Sequence, residues 1–284
     1  MYESYYGLRE KPFALAPDPG FLYPSRHHQF ALMMLEYAIL NRAGFSLLTG
    51  EVGSGKTTLI RQLLGRLGRD IRVGLISNTN RKFGKLLQWV CLAYELAYRD
   101  KDDAALYETF VDFLVQEYAA GRRVLLVVDE AQNLDPEMLE ELRVLSNVNA
   151  DKHLVLQTIL VGQPELRDTL RRTDLRQLAQ RIGTDYHLPA LTMQDARLYV
   201  RHRLSVAGGD PELIDADAVD LVWSRSGGVP RLVNQLCDTA LVYGFADQRT
   251  RIDVELMSQV VADRTAGGIF PAFGTDAPAP SATV

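Results

Sequence analysis

Apolar residues follow two different periodicities along the chain, and the change between them divides the sequence. From residue 45 to residue 188, short apolar runs alternate with stretches in which apolar residues recur at helical spacing. The run at 124–128 is unbroken, which is typical of a strand covered on both faces. This alternation predicts an α/β fold with a parallel sheet between helices. The predicted strands are 45–48, 71–76, 124–128, 154–161 and 185–188.

A helix is predicted ahead of the first strand, at about 26–42. Phe30, Met33, Met34 and Tyr37 recur at helical spacing there, and we expect this stripe to lie in the core. Residues 1–25 are rich in proline, glycine and aromatic side chains. They predict an irregular but ordered segment whose aromatic side chains need a surface to pack against.

After residue 190 the pattern is helical throughout. Thr192 is a predicted N-cap, with Asp195 three residues later in the position of a capping box. Pro230 opens a further helix at its first position. The sequence therefore predicts a second, small all-helical domain at 191–264, after an α/β domain at 26–190. The Ala/Pro/Gly/Thr-rich residues 265–284 are predicted to be a disordered tail.

Composition and charge bear on the binding partners of the chain and on its cellular compartment. The net charge is −5 and the pI is 5.6, which argues weakly against non-specific DNA binding by the whole surface. Cys91 and Cys237 lie in apolar helical patterns and are expected to be reduced core residues. No stretch approaches the ~20 apolar residues of a membrane span, and the charged N-terminus does not resemble a signal peptide. We expect a cytoplasmic protein that reaches the inner membrane through partners.

The clearest chemical motif follows the first predicted strand. Residues 50–57, GEVGSGKT, match the full phosphate-loop pattern G-x-x-x-x-G-K-[ST], between a strand and a helix as that loop requires. Lys56 should reach the β- and γ-phosphates of ATP, and the Thr57 hydroxyl should bind Mg²⁺. The predicted nucleotide-binding residues are Gly50, Glu51, Val52, Gly53, Ser54, Gly55, Lys56, Thr57 and Thr58.

Two carboxylates end the apolar run at 124–128. Asp129 is placed to hold Mg²⁺, and Glu130 can polarise a water molecule for attack on the γ-phosphate. Acidic residues often end strands without a chemical role. Their position downstream of a phosphate loop, with one strand between, favours the catalytic interpretation.

Polar residues further along the chain are candidates for sensing and completing the site. Gln163 follows the predicted strand at 154–161 and could sense the γ-phosphate, or it could be an ordinary turn residue. Arg231 begins a helix of the second domain and could reach the nucleotide, or it could be a surface arginine near a cap. Arg181, with Arg176 as the reserve, could act in trans as an arginine finger. The alternative for this pair is a solvated basic face.

Taken in their order along the chain, these motifs resemble those of AAA+ ATPases. More narrowly, the chain resembles the ATPases of the general secretion pathway A type over about residues 1–262. The segments that carry this resemblance are FSLLTGEVGSGKTTL, VVDEAQNL, LVGQPELR and SGGVPRLVNQLCDTAL. Through GLISNTNRKFGKLLQWV and FVDFLVQEYAAGRRV it is most similar to the secretion ATPases encoded near exosortase/PEP-CTERM and exopolysaccharide loci.

This resemblance implies an ATP-driven machine that assembles into a ring or filament and serves envelope export or exopolysaccharide assembly. Longer secretion members carry a transmembrane helix and a peptidoglycan-binding region after the ATPase. This chain has neither, so we expect a cytoplasmic motor or regulator that acts through envelope, secretion or polysaccharide-assembly proteins. Two alternatives stay open: a DNA-associated regulator of the transposition target-selection type, and a nucleotide-dependent switch that recruits a partner.

Overall fold

The computed structural model describes residues 1–77, 79, 84–150 and 153–267, which divide into two compact units. The first unit comprises Arg26–Glu51 and Lys56–Leu188. The second comprises Met1–Ser25, Val52–Gly55 and the chain from Pro189 onward. The loop residues Val52–Gly55 therefore group with the helical part of the protein.

The first unit is built on a parallel sheet. Among the described residues, the sheet has five strands in the order β2-β3-β6-β1-β7, and β4 and β5 form a separate short antiparallel pair. The strands are β1 (Phe45–Gly50), β2 (Ile71–Ile76), β3 (Arg123–Val128), β4 (Asn149–Ala150), β5 (His153–Leu154), β6 (Leu156–Gly162) and β7 (Ile182–Leu188). The predicted parallel α/β fold is thus confirmed.

Helices cover both faces of this sheet, as its buried strands require. Every residue of β1 and β6 is buried, and so is every residue of β3 after the first. The helices of this unit are α1 (Arg26–Leu40), α2 (Lys56–Arg66), α3 (Leu86–Ala93), α4 (Asp103–Ala119), α5 (Pro136–Leu145), α6 (Glu165–Leu170) and α7 (Arg176–Ala179). Short 3₁₀ turns stand at Ala131–Asn133 and Thr173–Leu175.

The predicted core stripe of α1 is wrong. Phe30, Met33 and Tyr37 are 44%, 53% and 60% exposed, and although the Phe30 ring lies 5.3 Å from that of Tyr186 in β7, the buried residues of α1 form a different set. Apolar residues occupy most of the circumference of this helix, so periodicity alone could not select the face that meets the sheet. The buried residues of α1 are His28, Ala31, Leu32, Leu35, Ala38 and Ile39.

The second unit is helical and includes the N-terminal segment. Its helices are α8 (Met193–Val206), α9 (Ala216–Ser226), α10 (Pro230–Ala246) and α11 (Val254–Ala266), preceded by a 3₁₀ turn at Pro19–Phe21. Tyr2, Leu8, Phe13 and Phe21 are buried in the same core as these helices. The Arg203 guanidinium lies 4.8 Å from the Phe21 ring centre and donates to the Pro12 carbonyl.

Two predicted helix starts of this unit are confirmed. The Thr192 side chain accepts from the backbone N–H of Asp195, and Pro230 stands at the first position of α10. No helix in the described part of the chain is both long enough and apolar enough to cross a membrane. Of the predicted tail, 265 and 266 end α11, Gly267 follows as its C-cap, and 268–284 lie outside the described residues.

Candidate nucleotide-binding site

The phosphate loop joins the buried end of β1 to the first turn of α2. Gly53 and Gly55 have φ angles of 82° and 98°, in the region that side chains other than glycine rarely adopt. These turns let the loop bend sharply, so that Lys56 begins α2 directly after the last glycine. The N-terminus of a helix following such a loop favours negatively charged phosphates.

Lys56 is held by the loop that precedes it. Its side chain is buried, and its ammonium Nζ donates to the carbonyl oxygens of Gly50 at 2.7 Å and Glu51 at 2.9 Å. Burial lowers the pKa of Lys56, while the nearby carboxylates of Glu130 and Asp129 act in the opposite direction. The ammonium is thus fixed at the mouth of the loop, where a phosphate would compensate for its burial.

Thr57 and Asp129 meet across the ends of α2 and β3. The Thr57 hydroxyl Oγ1 donates to Asp129 Oδ2 at 2.9 Å, and the backbone N–H of Glu130 donates to Asp129 Oδ1 at 2.9 Å. A hydroxyl and a carboxylate are hard oxygen ligands of the kind that Mg²⁺ prefers. Protein sites often supply only one or two such ligands beside substrate phosphates. The donor set therefore fits the Mg²⁺ site predicted from Thr57 and Asp129.

Glu130 stands at the carboxyl end of β3 in a backbone conformation unusual for its residue type. Its φ and ψ of 53° and 36° are left-handed, and the 3₁₀ turn Ala131–Asn133 follows it. The conformation turns the chain immediately after the strand. The Thr79 hydroxyl donates to the Glu130 carbonyl oxygen at 3.0 Å and supports this turn.

Two amide side chains hold the Glu130 carboxylate. Gln132 Nε2 donates to Glu130 Oε2 at 2.5 Å, and Gln163 Nε2 approaches the same oxygen at 3.4 Å. The two glutamines are joined in turn, because the Gln163 backbone N–H donates to Gln132 Oε1 at 3.0 Å. Gly162 makes this approach possible, since a Cβ at that position would lie 2.9 Å from Gln132 Oε1.

The structure thus brings Gln163 to the predicted catalytic carboxylate and adds Gln132, which sequence reasoning missed. The signal was present in the tetrapeptide Asp129-Glu130-Ala131-Gln132. A side chain two residues after a left-handed residue can fold back toward that residue, as Gln132 does toward Glu130. The left-handed turn itself was not predictable, because glutamate rarely adopts it.

A second polar network lies at the ends of β1 and β7. Thr49 is fully buried, and its Oγ1 accepts from Arg167 Nε at 2.9 Å and contacts His187 Nδ1 at 3.1 Å. Arg167 also pairs with Asp185. Burial and the charge of Arg167 lower the pKa of His187, which favours a neutral imidazole. Since Thr49 directly precedes Gly50, this network fixes the strand end from which the phosphate loop begins.

Arg231 contacts the phosphate loop within the second unit. Its backbone N–H donates to the Gly53 carbonyl at 3.2 Å, and a Cβ on Gly53 would lie only 2.4 Å from the Arg231 Cβ. Gly227 and Gly228, at φ of 58° and 73°, turn the chain from α9 into α10 and so direct Arg231 to the loop. The side chain of Arg231 is exposed.

The predicted trans-acting arginines differ in their surroundings. Arg181 donates to Ser146 Oγ at 2.9 Å within the same chain, whereas Arg176 is exposed at the start of α7. The neighbouring arginines are paired with carboxylates, Arg171 with Asp168 and Arg172 with Asp174. Arg176 is therefore better placed to contact another molecule.

Comparisons with known proteins agree with this geometry. Residues 39–170 match the family described as AAA domain. Over 248 residues, the chain is 45% identical to "General secretion pathway protein A" of Aeromonas hydrophila. The match covers 87% of this chain and 45% of that relative, so the chain spans less than half of the relative's length.

Solved structures show the same fold at low sequence identity. The ORC2 protein of Aeropyrum pernix in ADPNP–ADP complexes superposes with a TM-score of 0.65 at 18% identity, covering 86% of this chain and 68% of that one. Cdc6p of Pyrobaculum aerophilum gives a TM-score of 0.65 at 17% identity, covering 83% and 68%. At this identity the likeness shows the fold alone, and the chemistry must be argued from the residues.

Proposed function

We propose that this chain, which has the P-loop AAA+ fold, is a Mg²⁺-dependent ATP hydrolase. The observation that carries the proposal is the grouping of three functions at the carboxyl ends of β1, β3 and β6. Lys56 lies at the loop mouth, the Thr57–Asp129 oxygens form a hard cation site, and two glutamine amides orient Glu130. The ADPNP and ADP bound by the Aeropyrum protein of the same fold support ATP as the ligand.

These residues divide the work of phosphoryl transfer between them. Lys56 and the loop amides bind the phosphates, and Mg²⁺ held by Thr57 and Asp129 would neutralise charge on them. Glu130 orients a water molecule and takes its proton as the water oxygen bonds to the γ-phosphorus. The bond from that phosphorus to the β–γ bridging oxygen breaks, giving ADP and phosphate. Gln163 and Gln132 keep the Glu130 carboxylate in position.

The direct test is Glu130→Gln, which keeps the shape of the side chain and removes its basic carboxylate. We expect hydrolysis to fall by about 10²–10⁴-fold while ATP binding is retained, because Glu130 acts on water and not on the phosphates. Phosphate release and equilibrium binding of a fluorescent ATP analogue measure the two effects. Glu108→Gln, at an exposed position of α4, is the control. Unchanged turnover in Glu130→Gln would reject the proposal.

More specifically, we propose that the ATP hydrolase is a self-assembling motor or regulator that serves envelope export or exopolysaccharide assembly. The 45% identity to a general secretion pathway protein supports an export role at the inner membrane through partner proteins. The exosortase/PEP-CTERM setting rests on the sequence segments that resemble those ATPases. Self-assembly into a ring or filament is supported by the exposed apolar stripe of α1 and by exposed Arg176, which is the better candidate to act in trans.

In the described part of the chain, no observation specifically supports either alternative, the DNA-associated regulator or the nucleotide-dependent switch. A DNA-associated regulator could contact phosphates through the arginine-rich segment 167–181, but Arg167, Arg171 and Arg172 are in ion pairs with carboxylates, which reduces their attraction for phosphates. Duplex DNA should therefore leave the ATPase rate unchanged at low salt, whereas strong stimulation would favour a DNA-associated regulator. A nucleotide switch would show tight ATP binding with no turnover even at high protein concentration.

A further inference from the structure

Arginines stand ahead of the strands of the parallel sheet. The amino ends of parallel strands lie at one edge of a sheet, opposite the carboxyl ends that carry the nucleotide site. Four strands, β1, β2, β3 and β7, follow an arginine by one to three residues, and in this order the arginines are Arg42, Arg69, Arg122 and Arg181. Three more arginines lie at the same edge, at the end of α2 and at the starts of β2 and β3: Arg66, Arg72 and Arg123.

Carboxylates neutralise this edge only in part. Four of the seven arginines form ion pairs, which are Arg66–Glu36, Arg72–Glu95, Arg122–Glu117 and Arg123–Asp70. Arg42 and Arg69 are exposed and have no ion-pair partner among the described residues. Arg181 donates to the neutral Ser146 hydroxyl. Positive charge is therefore in excess at this edge, on a chain whose net charge is −5.

Three of the arginines line a cavity of about 80 Å³ at this edge. Arg42, Arg122 and Arg123 are held there by the short turns through which α1 leads into β1 and α4 into β3. No carboxylate lines the cavity in the described part of the chain. Arg122 uses Nε and Nη2 to bind Glu117, which leaves its Nη1 available. The space exceeds that of one water molecule and admits a phosphate group, whose oxygens guanidinium groups bind well.

Apolar side chains lie exposed beside these arginines. Leu40, the last residue of α1, is 71% exposed and stands two residues before Arg42. Leu154 lines the same cavity as the arginines and is 37% exposed. Apolar side chains among exposed cations are typical of a surface that binds a bilayer. The apolar groups enter the acyl boundary there, and the cations meet the lipid phosphates.

We propose that this surface, the arginine edge, binds directly to the anionic face of a lipid bilayer. It consists of the seven arginines named above together with Leu40 and Leu154. A headgroup phosphate would accept hydrogen bonds from Arg42 and Arg122 in the cavity, while Leu40 enters the acyl boundary. A nucleic acid would meet the arginines but would give Leu40 no apolar surroundings. The proposal adds a direct lipid contact to the membrane role that the chain is proposed to have through partner proteins.

The test is co-sedimentation with vesicles of phosphatidylcholine alone and with vesicles of equal parts phosphatidylcholine and phosphatidylglycerol. We expect the native chain to bind only the anionic vesicles, and salt to weaken the binding. Arg42→Gln/Arg69→Gln should weaken it by about 10–30-fold, because each cation near an anionic bilayer contributes to the affinity. Leu40→Ser/Leu154→Ser should weaken it as well, since these changes remove the apolar groups and leave the charge unchanged.

The matched control is Arg201→Gln/Arg225→Gln, which removes the same charge from exposed positions of the helical unit. Equal weakening in both arginine variants would mean that total charge drives binding, and it would overturn the proposal. Equal binding to the two kinds of vesicle would overturn it too, and so would binding to neither. ATP binding measured for every variant verifies that the fold is retained, since none of these residues contacts the phosphate loop.

Duplex DNA distinguishes the other source of phosphates. If DNA binds where vesicles do not, and binding is lost in Arg42→Gln/Arg69→Gln but kept in Leu40→Ser/Leu154→Ser, the edge belongs to nucleic acid and the lipid proposal is wrong. Glu130→Gln should bind vesicles as the native chain does, because the contact needs no turnover. Failure of the proposed hydrolysis would therefore leave this test unaffected.

Discussion

At the scale of single residues, the Glu130 carboxylate depends on two neutral amides for its position. Gln132 and Gln163 approach the same oxygen, Oε2, and leave Oε1 without a contact to either amide. Amide donors orient the carboxylate without adding the full positive charge that an arginine or lysine would bring. A base held in this way keeps its orientation toward the attacking water.

Gln132→Ala should lower the turnover number by about 10–100-fold, because it removes a hydrogen bond to a charged group worth about 1.5–3 kcal/mol. The affinity for ATP should change little, since Gln132 contacts the base and not the loop. Steady-state kinetics separate the two effects. A second variant, Gln132→Glu, keeps the length of the side chain but removes the donor and adds a charge that repels Glu130. A fully active Gln132→Ala would show that the amide contact has no part in turnover.

His187 makes stability depend on pH. Burial and Arg167 lower the pKa of His187 in the folded protein. The His187 imidazole therefore binds a proton more readily in the unfolded chain, where its pKa is ~6.5. The free energy of unfolding should fall as pH decreases below that value toward the folded pKa, and its contribution is fully present above ~6.5.

Thermal unfolding of His187→Asn between pH 7 and 5 tests this contribution. We expect the midpoint of the variant to depend less on pH than that of the native protein. Some dependence should remain, because burial also lowers the pKa of His202 in the second unit. Identical slopes for the two proteins would contradict the assignment to His187.

At the scale of elements, helix α8 depends on its N-cap. Thr192 Oγ1 accepts from the Asp195 backbone N–H at 3.1 Å and donates to Asp195 Oδ2 at 2.7 Å. Thr192→Ala should destabilise the protein by about 1 kcal/mol, because a backbone donor loses its partner. Thr192→Ser should preserve most of that stability. Urea unfolding followed by the tryptophan emission measures both, and equal loss in the two variants would point to packing of the threonine methyl group.

The sequence allowed the elements to be predicted better than their arrangement. The strand at 71–76 has the predicted bounds, because apolar residues stand at both of its ends. The insertion of β6 between β3 and β1 left no local signal, since the connecting helices permit several strand orders. Short helices such as α7 are also too brief to show a periodicity.

In the candidate site, too, the local features could be predicted from the sequence and the contacts between elements could not. The loop, Asp129 and Glu130 could be predicted because their motif is contiguous and its chemistry depends on local backbone geometry. The contacts of Gln132 and Arg167 could not, since each joins residues from different strands or turns. Arg181 illustrates the limit most clearly. Its hydrogen-bond partner, Ser146, lies in another element and no spacing rule connects them.

At the scale of the whole molecule, the α1 stripe bears on assembly. Phe30, Met33 and Tyr37 leave apolar surface exposed on one helix face, and Leu40 continues it at 71% exposure. The spacing of three and four residues is that of a helix seam that packs against another helix. The proposed self-assembly gives this face a use.

Met33→Glu/Tyr37→Glu should reduce self-association by placing two charges in that seam. Sedimentation velocity over a concentration series measures the assembly, and ATPase rate per subunit measured over the same series shows whether turnover depends on it. Arg176→Ala should lower turnover in the assembled protein and leave sedimentation unchanged. If the native protein remains a monomer with a constant rate per subunit, both the seam and the trans arginine lose their support.

The left-handed backbone of Glu130 has a consequence for how this protein tolerates mutation. A residue other than glycine in that conformation costs about 1–2 kcal/mol, which glycine would avoid. Glu130→Gly would relieve that cost, but it would also lose the contacts with Gln132 and Gln163 and give the unfolded chain more conformational freedom. It should therefore unfold at no higher temperature than the native protein while hydrolysing no ATP. A mutant library selected for heat resistance alone would not be enriched in glycine at this codon, because the carboxylate that hydrolysis needs also holds the strained turn in place.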